Sequence, residues 1–251
     1  MSKRVSREGS RVPNVELAEL ADGQVKKYSS RELFGGRKVI LFALPGAFTP
    51  TCSTAHVPGY VAHLKEFRDA GVGDIVCLSV NDPFVMEAWQ RSEKAEGVHF
   101  VADPFGEFTR EMGMSIDHRD AGLGTRSWRY SMVVNDGVIE KMFIEPEKEG
   151  DPFEVSDADT MLKYVAPQLK APEPVTILGK QGCPHCARAK ALLEDNGVVY
   201  EEVLLGKGIT SSTLRAVSGR GTTPQVFIGG RHIGGADELE KYFAERNRKA
   251  A

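Results

Sequence analysis

The chain has 251 residues, 41% of them apolar, and a formal net charge of −3 with acids and bases mixed throughout. That size allows one large core or two ordinary ones, and two domains are expected. No basic stripe of the kind nucleic acid requires is present, "MSKRVSREGS" has no apolar core behind it, and nowhere do about 18 apolar residues run together, so neither nucleic acid, export nor membrane insertion is expected and the cytoplasm is the expected location.

In chain order, "KVILFAL" (38–44) is a short, wholly apolar run of strand type. From Ser53 to about Ala70 the apolar residues Val57, Tyr60, Val61, Leu64 and Phe67 recur at helical spacing, with Pro58 expected to kink that helix in its second turn. "DIVCLSV" (74–80) is a second buried strand, and "DPFVMEAWQRSEKAEG" predicts a helix that starts at an Asp cap and stops at Gly97. "HFVAD" (99–103) is a third strand. "RYSMVVNDGVIEKMFIEP" predicts two strands joined through Asn135-Asp136-Gly137, an antiparallel pair beside the parallel ones, and a helix near 156–168 closes the unit.

"APQLKAPEP" (166–174) then carries three prolines, a short linker stiffened towards polyproline II that reaches roughly 25 Å if fully extended. Beyond it the pattern restarts in miniature: strand "PVTIL", helix from 184 to about 195, strand "VVYEEVLL", helix near 211–217, strands "QVFIGG" and "RHIGG", and a helix over 236–246. The expected organisation is α/β, with domains at 1–167 and 175–251 and a linker at 168–174. In each domain a cysteine stands where the first apolar strand meets a helix.

Four cysteines in a reducing compartment point to catalysis, metal binding or inert packing rather than structural disulfides. The most specific motif is "CPHC", Cys183 to Cys186. A cysteine at a helix start faces unpaired backbone N–H groups and the positive end of the dipole, which favour thiolate over thiol, and Pro184 suits the first helical position. A structural zinc site would need four ligands, and no second C-x-x-C or H-x3–5-H follows, so no metal is expected.

"KQGCPHCARAKALLEDNGV" and "GTTPQVFIGGRHIGGADEL" closely resemble a glutaredoxin over nearly all of 174–246. The resemblance implies a thioredoxin fold, glutathione as reductant and co-substrate, Cys183 as the nucleophilic thiol and Cys186 as the second thiol. It further implies Pro224 as a cis-proline facing the cysteines, Thr223 presenting its backbone to glutathione, Lys180 attracting a glutathione carboxylate, and Gly235, Ala236, Asp237 and Glu238 gripping the γ-glutamyl end. His185 stands where the family usually has a tyrosine, and Ala236-Asp237-Glu238 departs from its more frequent pattern.

Cys52 is solitary. Pro45, Thr49 and Cys52 form P-x-x-x-T-x-x-C, in which Thr49 can turn its hydroxyl into the pocket of the sulfur. A thiolate attacking an O–O bond needs its own charge stabilised, a group to hold the peroxide, and a cation near the departing oxygen. "LPGAFTPTCSTAHVPGY", "CLSVNDPFVMEAW" and "RYSMVVNDG" resemble the atypical, Prx5-like peroxiredoxins over about 1–165. The resemblance implies a second thioredoxin fold, hydroperoxides as substrates, Cys52 as the peroxidatic cysteine, Thr49 as holder of the peroxide, Pro45 as a shield and Arg129 as the cation. Arg126 is a weaker candidate for that last role, with a surface arginine as its alternative. Cys77 reads as a buried strand residue with a raised pKa.

Atypical relatives often carry a resolving cysteine late in this domain, whereas "EPEKEGDPFEVSDAD" contains none. The sulfenic acid formed at Cys52 must meet a thiol before further peroxide overoxidises it. A tethered glutaredoxin answers that need, and no tightly bound cofactor is expected. The expected activity is a glutathione-dependent peroxidase, with oxidised glutathione recycled by an NADPH-dependent reductase and the chain forming a homo-oligomer. Two other readings stay open at this point: a general disulfide reductase whose N-terminal domain docks substrates, and a redox sensor.

Overall fold

A computed structural model describes residues 4–168, 173–206 and 209–250. The chain divides into two units, Met1–Ala171 and Pro172–Ala251. The expected linker at 168–174 falls largely on 169–172, outside the described residues.

The first unit is a seven-stranded sheet with helices on both faces. Its strands are β1 (Glu16–Ala21), β2 (Gln24–Ser29), β3 (Lys38–Ala43), β4 (Asp74–Ser79), β5 (His99–Ala102), β8 (Tyr130–Asn135) and β9 (Val138–Ile144), in the order β2-β1-β5-β4-β3-β8-β9. Strands β3, β4 and β5 run parallel and are almost wholly buried, which is why they read as continuous apolar runs rather than alternating ones. Alternation still sorts the side chains of this stretch: Ile40, Phe42 and Leu44 join the core that holds Cys52, Cys77 and Tyr60, while Val39, Leu41 and Ala43 join the one that holds Phe108, Tyr130 and Met132. The β8–β9 hairpin turns at Asp136 and Gly137, both in the left-handed region (φ 46° and 75°). The edge hairpin β1–β2 was not anticipated from the sequence.

The helices of this unit are α1 (Ser30–Phe34), α2 (Val57–Ala62), α3 (Leu64–Asp69), α4 (Pro83–Glu93), α5 (Glu107–Glu111) and α6 (Ala158–Val165), with a short ladder of β6 (Ser115–Asp117) and β7 (Thr125–Ser127) before β8. Two helix expectations need correction. The helix expected from Ser53 opens instead as a π turn, Cys52–His56, in which the Val57 N–H bonds to the Cys52 carbonyl; Pro58 lies in the first turn of α2, and the axis breaks at His63 (φ −106°, ψ 12°). Pro58 has no N–H to donate, so an ordinary α ladder could not continue unchanged through it. Helix α4 does start at the Asp82 cap but stops at Glu93, because Lys94 takes the left-handed conformation (φ 52°) and its N–H closes onto the Arg91 and Gln90 carbonyls. Gly97 serves packing instead: a Cβ there would lie 2.3 Å from Leu64 Cδ1.

The second unit is a four-stranded sheet, order β11-β10-β12-β13, from β10 (Val175–Gly179), β11 (Glu201–Leu204), β12 (Gln225–Ile228) and β13 (Arg231–Gly234). β10 pairs parallel with β11 and antiparallel with β12. Helices α7 (Pro184–Asp195), α8 (Ser211–Ser218) and α9 (Ala236–Ala250) accompany it, and Ile177, Val226, Leu193, Leu239 and Phe243 form its core.

Candidate active sites

The first site lies where β3 meets the π turn. Pro45 and Gly46 are buried at the strand's exit, and Thr49 is half-buried one turn before Cys52, its carbonyl accepting the Ser53 N–H at 3.1 Å. The Thr49 hydroxyl donates to the Gly46 carbonyl at 2.9 Å. Its proton is thus committed, and the oxygen presents lone pairs to an incoming O–H. Cys52 is fully buried, and Arg129, immediately before β8, donates from Nη1 to its sulfur at 3.4 Å. Cys52 and Arg129, 77 residues apart in the sequence, are thereby brought into contact, which sets a preorganised cationic donor at the sulfur.

Arg129 is itself almost completely buried, a position no unpaired cation could hold. Burial disfavours its charge, but Cys52 and Asp151 outweigh that and raise its pKa. Nη1 also donates to His56 Nδ1 at 3.0 Å, and His56 Nε2 faces the Ser156 carbonyl at 3.2 Å. A carbonyl can only accept, so Nε2 carries the ring proton and Nδ1 is left to accept from the guanidinium. Burial and the Arg129 charge agree with this neutral form, holding His56 well below the ordinary histidine pKa. Asp151 grips the far edge of the guanidinium, taking Nη2 on both carboxylate oxygens at 2.6 Å and Nε at 3.3 Å.

Arg126 does not touch Cys52 among the described contacts, and it is half-buried rather than a surface arginine. It donates to Asn81 Oδ1 at 3.1 Å; the same oxygen accepts the Ala47 N–H at 3.0 Å and the Ser79 hydroxyl at 2.8 Å. A Cβ on Gly46 would lie 3.0 Å from Arg126 Nη1, so a side chain there would push the guanidinium back by a few tenths of an ångström. Cys77 is buried on β4, and burial pushes its thiol well above the ordinary range.

The second site opens α7. Cys183 is its N-cap: the sulfur accepts the Cys186 N–H at 3.3 Å, and the Thr223 hydroxyl lies 3.7 Å away. Burial raises the Cys183 pKa, but bonds from the Cys186 thiol and N–H, the Thr223 hydroxyl and the His185 N–H outweigh it, and the net shift is downward. Cys186 is buried and shifted upward, by burial and by its bond with Cys183. The Thr223–Pro224 peptide is cis, and the Thr223 carbonyl also faces Cys183 at 3.7 Å.

Lys180 is exposed and lines a cleft of about 410 Å³ with Gln181, Cys183, Cys186, Lys190 and Glu202. His185 is exposed beside it. Gly235 and Ala236 lie at the start of α9, where a Cβ on Gly235 would stand 3.6 Å from the Pro224 carbonyl. Asp237 pairs with Arg188, while Glu238 accepts from Arg220 at 2.8 Å and from the Gly235 N–H at 2.9 Å.

A redoxin family model matches residues 7–162 and a glutaredoxin model matches 175–233. Hybrid peroxiredoxin hyPrx5 of Haemophilus influenzae is 55% identical over 95% of this chain and 99% of its own length. The chain belongs to the peroxiredoxin family and carries a C-terminal glutaredoxin domain. Peroxiredoxin sll1621 of Synechocystis is 57% identical over 55% of this chain and 75% of its own. Reduced Prx3 of Vibrio vulnificus in complex with hydrogen peroxide superimposes with a TM-score of 0.61 at 40% identity, covering 64% of this chain and 99% of that one. Both domains of this peroxiredoxin thus have the thioredoxin fold, and its activity is that of an oxidoreductase reducing peroxide.

Four residues of the first site were not singled out from the sequence: His56, Asp151, Glu145 and Ser156. Only His56 had a usable signal, its position four residues after Cys52 on a turn that opens a helix.

Proposed function

We propose that the protein is a glutathione-dependent peroxidase whose two cysteine sites work in one cycle. The observation that supports this most is the Arg129 contact at the Cys52 sulfur, combined with a first domain whose one other cysteine, Cys77, is buried on a strand and shifted away from reactivity. Cys52 thiolate attacks the O–H oxygen of a hydroperoxide; the O–O bond breaks, the sulfur becomes a sulfenic acid that keeps the peroxide's hydrogen, and the departing alkoxide takes a proton from water to leave as the alcohol. Thr49 accepts the peroxide O–H. The Arg129 N–H that rests on sulfur in the reduced state is then shared with oxygen as negative charge moves onto it.

Glutathione condenses with the sulfenic acid, releasing water and leaving a mixed disulfide on Cys52. Because Cys52 has no exposed surface, this step requires the turn over Cys52–His56 to open. Cys183 thiolate attacks the glutathionyl sulfur and frees Cys52 thiolate, and a second glutathione regenerates Cys183 and departs as oxidised glutathione. Lys180, the Thr223 backbone and the start of α9 around Gly235 and Ala236 would receive the tripeptide, its carboxylates meeting a cation at one end and helix N–H groups at the other. Asp237 and Glu238 already hold arginine partners, so in our reading they shape that end rather than bind through free carboxylates.

The cycle is assigned to a reducing, cytoplasmic setting and to a homo-oligomer. Tethering raises the effective thiol concentration to the order of millimolar. The test is NADPH consumption with hydrogen peroxide, glutathione and glutathione reductase, with and without thioredoxin. Turnover that needs glutathione and vanishes in Cys52→Ser supports the reading; turnover on thioredoxin alone would refute it.

A further inference from the structure

Every nitrogen of the Arg129 guanidinium has a partner. Nη1 donates to Cys52 and His56, while Nη2 and Nε donate to Asp151. An arginine side chain carries about 2 kcal/mol of rotamer entropy, and the single 3.4 Å contact with sulfur is too weak a restraint to fix its aim. The shortest contacts, the two from Nη2 to Asp151 at 2.6 Å, are on the opposite edge.

The loop that brings Asp151 there is itself fixed. Glu145, buried at the end of β9, accepts the N–H groups of Glu154, Val155 and Ser156 at 2.7–3.0 Å and the Ser156 hydroxyl at 2.7 Å. That folds segment 151–156 back over the site. Its Ser156 carbonyl then takes His56 Nε2 and the Tyr60 hydroxyl, and Phe153 packs 5.0 Å from the His56 ring and 5.6 Å from the Arg129 guanidinium carbon. One loop therefore restrains Arg129 directly through Asp151 and indirectly through His56.

We propose that Asp151 is a positioning residue for the peroxide reaction: by holding the far edge of Arg129 it keeps Nη1 aimed at the Cys52 sulfur and at the oxygen that will leave. Its charge acts in the opposite sense. A carboxylate beside the site partly neutralises Arg129 and disfavours the thiolate, so a purely electrostatic Asp151 would slow the reaction at low pH and its removal would help. Positioning and charge thus predict opposite outcomes for the same substitution.

The experiment measures the second-order rate constant for oxidation of Cys52 by hydrogen peroxide in the full chain, over about pH 5 to 8, for the wild type, Asp151→Asn and Asp151→Glu. Asp151 is 41% exposed and its side chain bonds only Arg129 among the described residues, so these chains should fold. The proposal expects the high-pH plateau of Asp151→Asn to fall by about 10-fold or more, in line with the cost of misplacing a reacting group by a fraction of an ångström. The pH of half-plateau should move lower in the same variant, and Asp151→Glu should recover part of the plateau. An unchanged or raised plateau in Asp151→Asn would overturn the proposal and leave Asp151 acting through its charge alone. Equal losses in the Asn and Glu chains would overturn it as well.

Discussion

The two cysteines of the proposed cycle are supported in opposite ways. Cys183 draws mostly on its own neighbourhood: it caps α7, and the Cys186 N–H at its sulfur comes from the same turn, with only the longer Thr223 contact reaching it from elsewhere. Cys52 draws mainly on side chains far along the chain, with Arg129 at the sulfur, Asp151 on Arg129 and Glu145 folding the loop that carries Asp151, joined by His56 of its own turn. The first arrangement leaves the thiol partly exposed, which suits exchange with a tripeptide disulfide. The second encloses it completely, which suits a small oxidant and a transition state whose charge moves from sulfur to oxygen. A local device needs only a helix start; a preorganised cationic pocket needs the whole fold.

The contrast can be broken first at Arg129. Arg129→Gln should lower the peroxide rate constant of Cys52 by about 10² to 10³, the usual loss on removing one preorganised donor to a developing anion, while glutaredoxin turnover at Cys183 stays unchanged. Stopped-flow oxidation and a mixed-disulfide reduction assay on the same preparation check both halves. At the second site the expected effect is smaller, because several donors share the sulfur. Thr223→Val removes one hydroxyl and should raise the pH at which Cys183 reaches half its reactivity, with at most about a tenfold loss at neutral pH. Since its pKa is lowered, the wild-type thiol keeps its reactivity to a lower pH than an ordinary cysteine would, and loses it as pH falls through the lowered value.

Buried His56 sharpens the comparison through stability. Its folded-state pKa lies well below the ordinary 6.5, so the unfolded chain binds a proton that the folded chain refuses. The associated stability is fully present above about pH 6.5 and is lost as pH falls below it, at about 1.4 kcal/mol per pH unit until the folded-state value is reached. His99, half-buried between Asp74 and Glu19 and shifted upward, works the other way, its contribution being lost as pH rises. Thermal melts of a His99→Asn chain from pH 8 to 5 should therefore show the loss on the acid side without that compensation.

What the sequence reveals follows the same division. "CPHC" announces its chemistry because cap, proline and both thiols lie within four residues. The parallel strands are visible as apolar runs, and the β8–β9 turn as Asn135-Asp136-Gly137. The P-x-x-x-T-x-x-C spacing sets Thr49 beside Cys52, but Arg129 becomes visible only through resemblance, since nothing local joins it to Cys52. Asp151 and Glu145 were invisible for a physical reason: in "EPEKEGDPFEVSDAD" they are acids among acids, and only the return of the loop over β9 separates a guanidinium clamp and a buried acceptor from solvated charge. The π turn at Cys52 escaped notice because the apolar spacing after it is that of an ordinary helix, and Pro58 marks a disturbance without revealing its form.

The joined cycle is tested most directly by intact-mass and peptide analysis of a Cys183→Ser chain treated with one equivalent of hydrogen peroxide and then with glutathione. The account predicts a single glutathione in disulfide linkage on Cys52, which disappears when an untreated Cys52→Ser chain supplies Cys183 in trans. Failure of glutathione to attach to oxidised Cys52, together with a Cys52–Cys183 disulfide in the peroxide-treated Cys186→Ser chain, would contradict it.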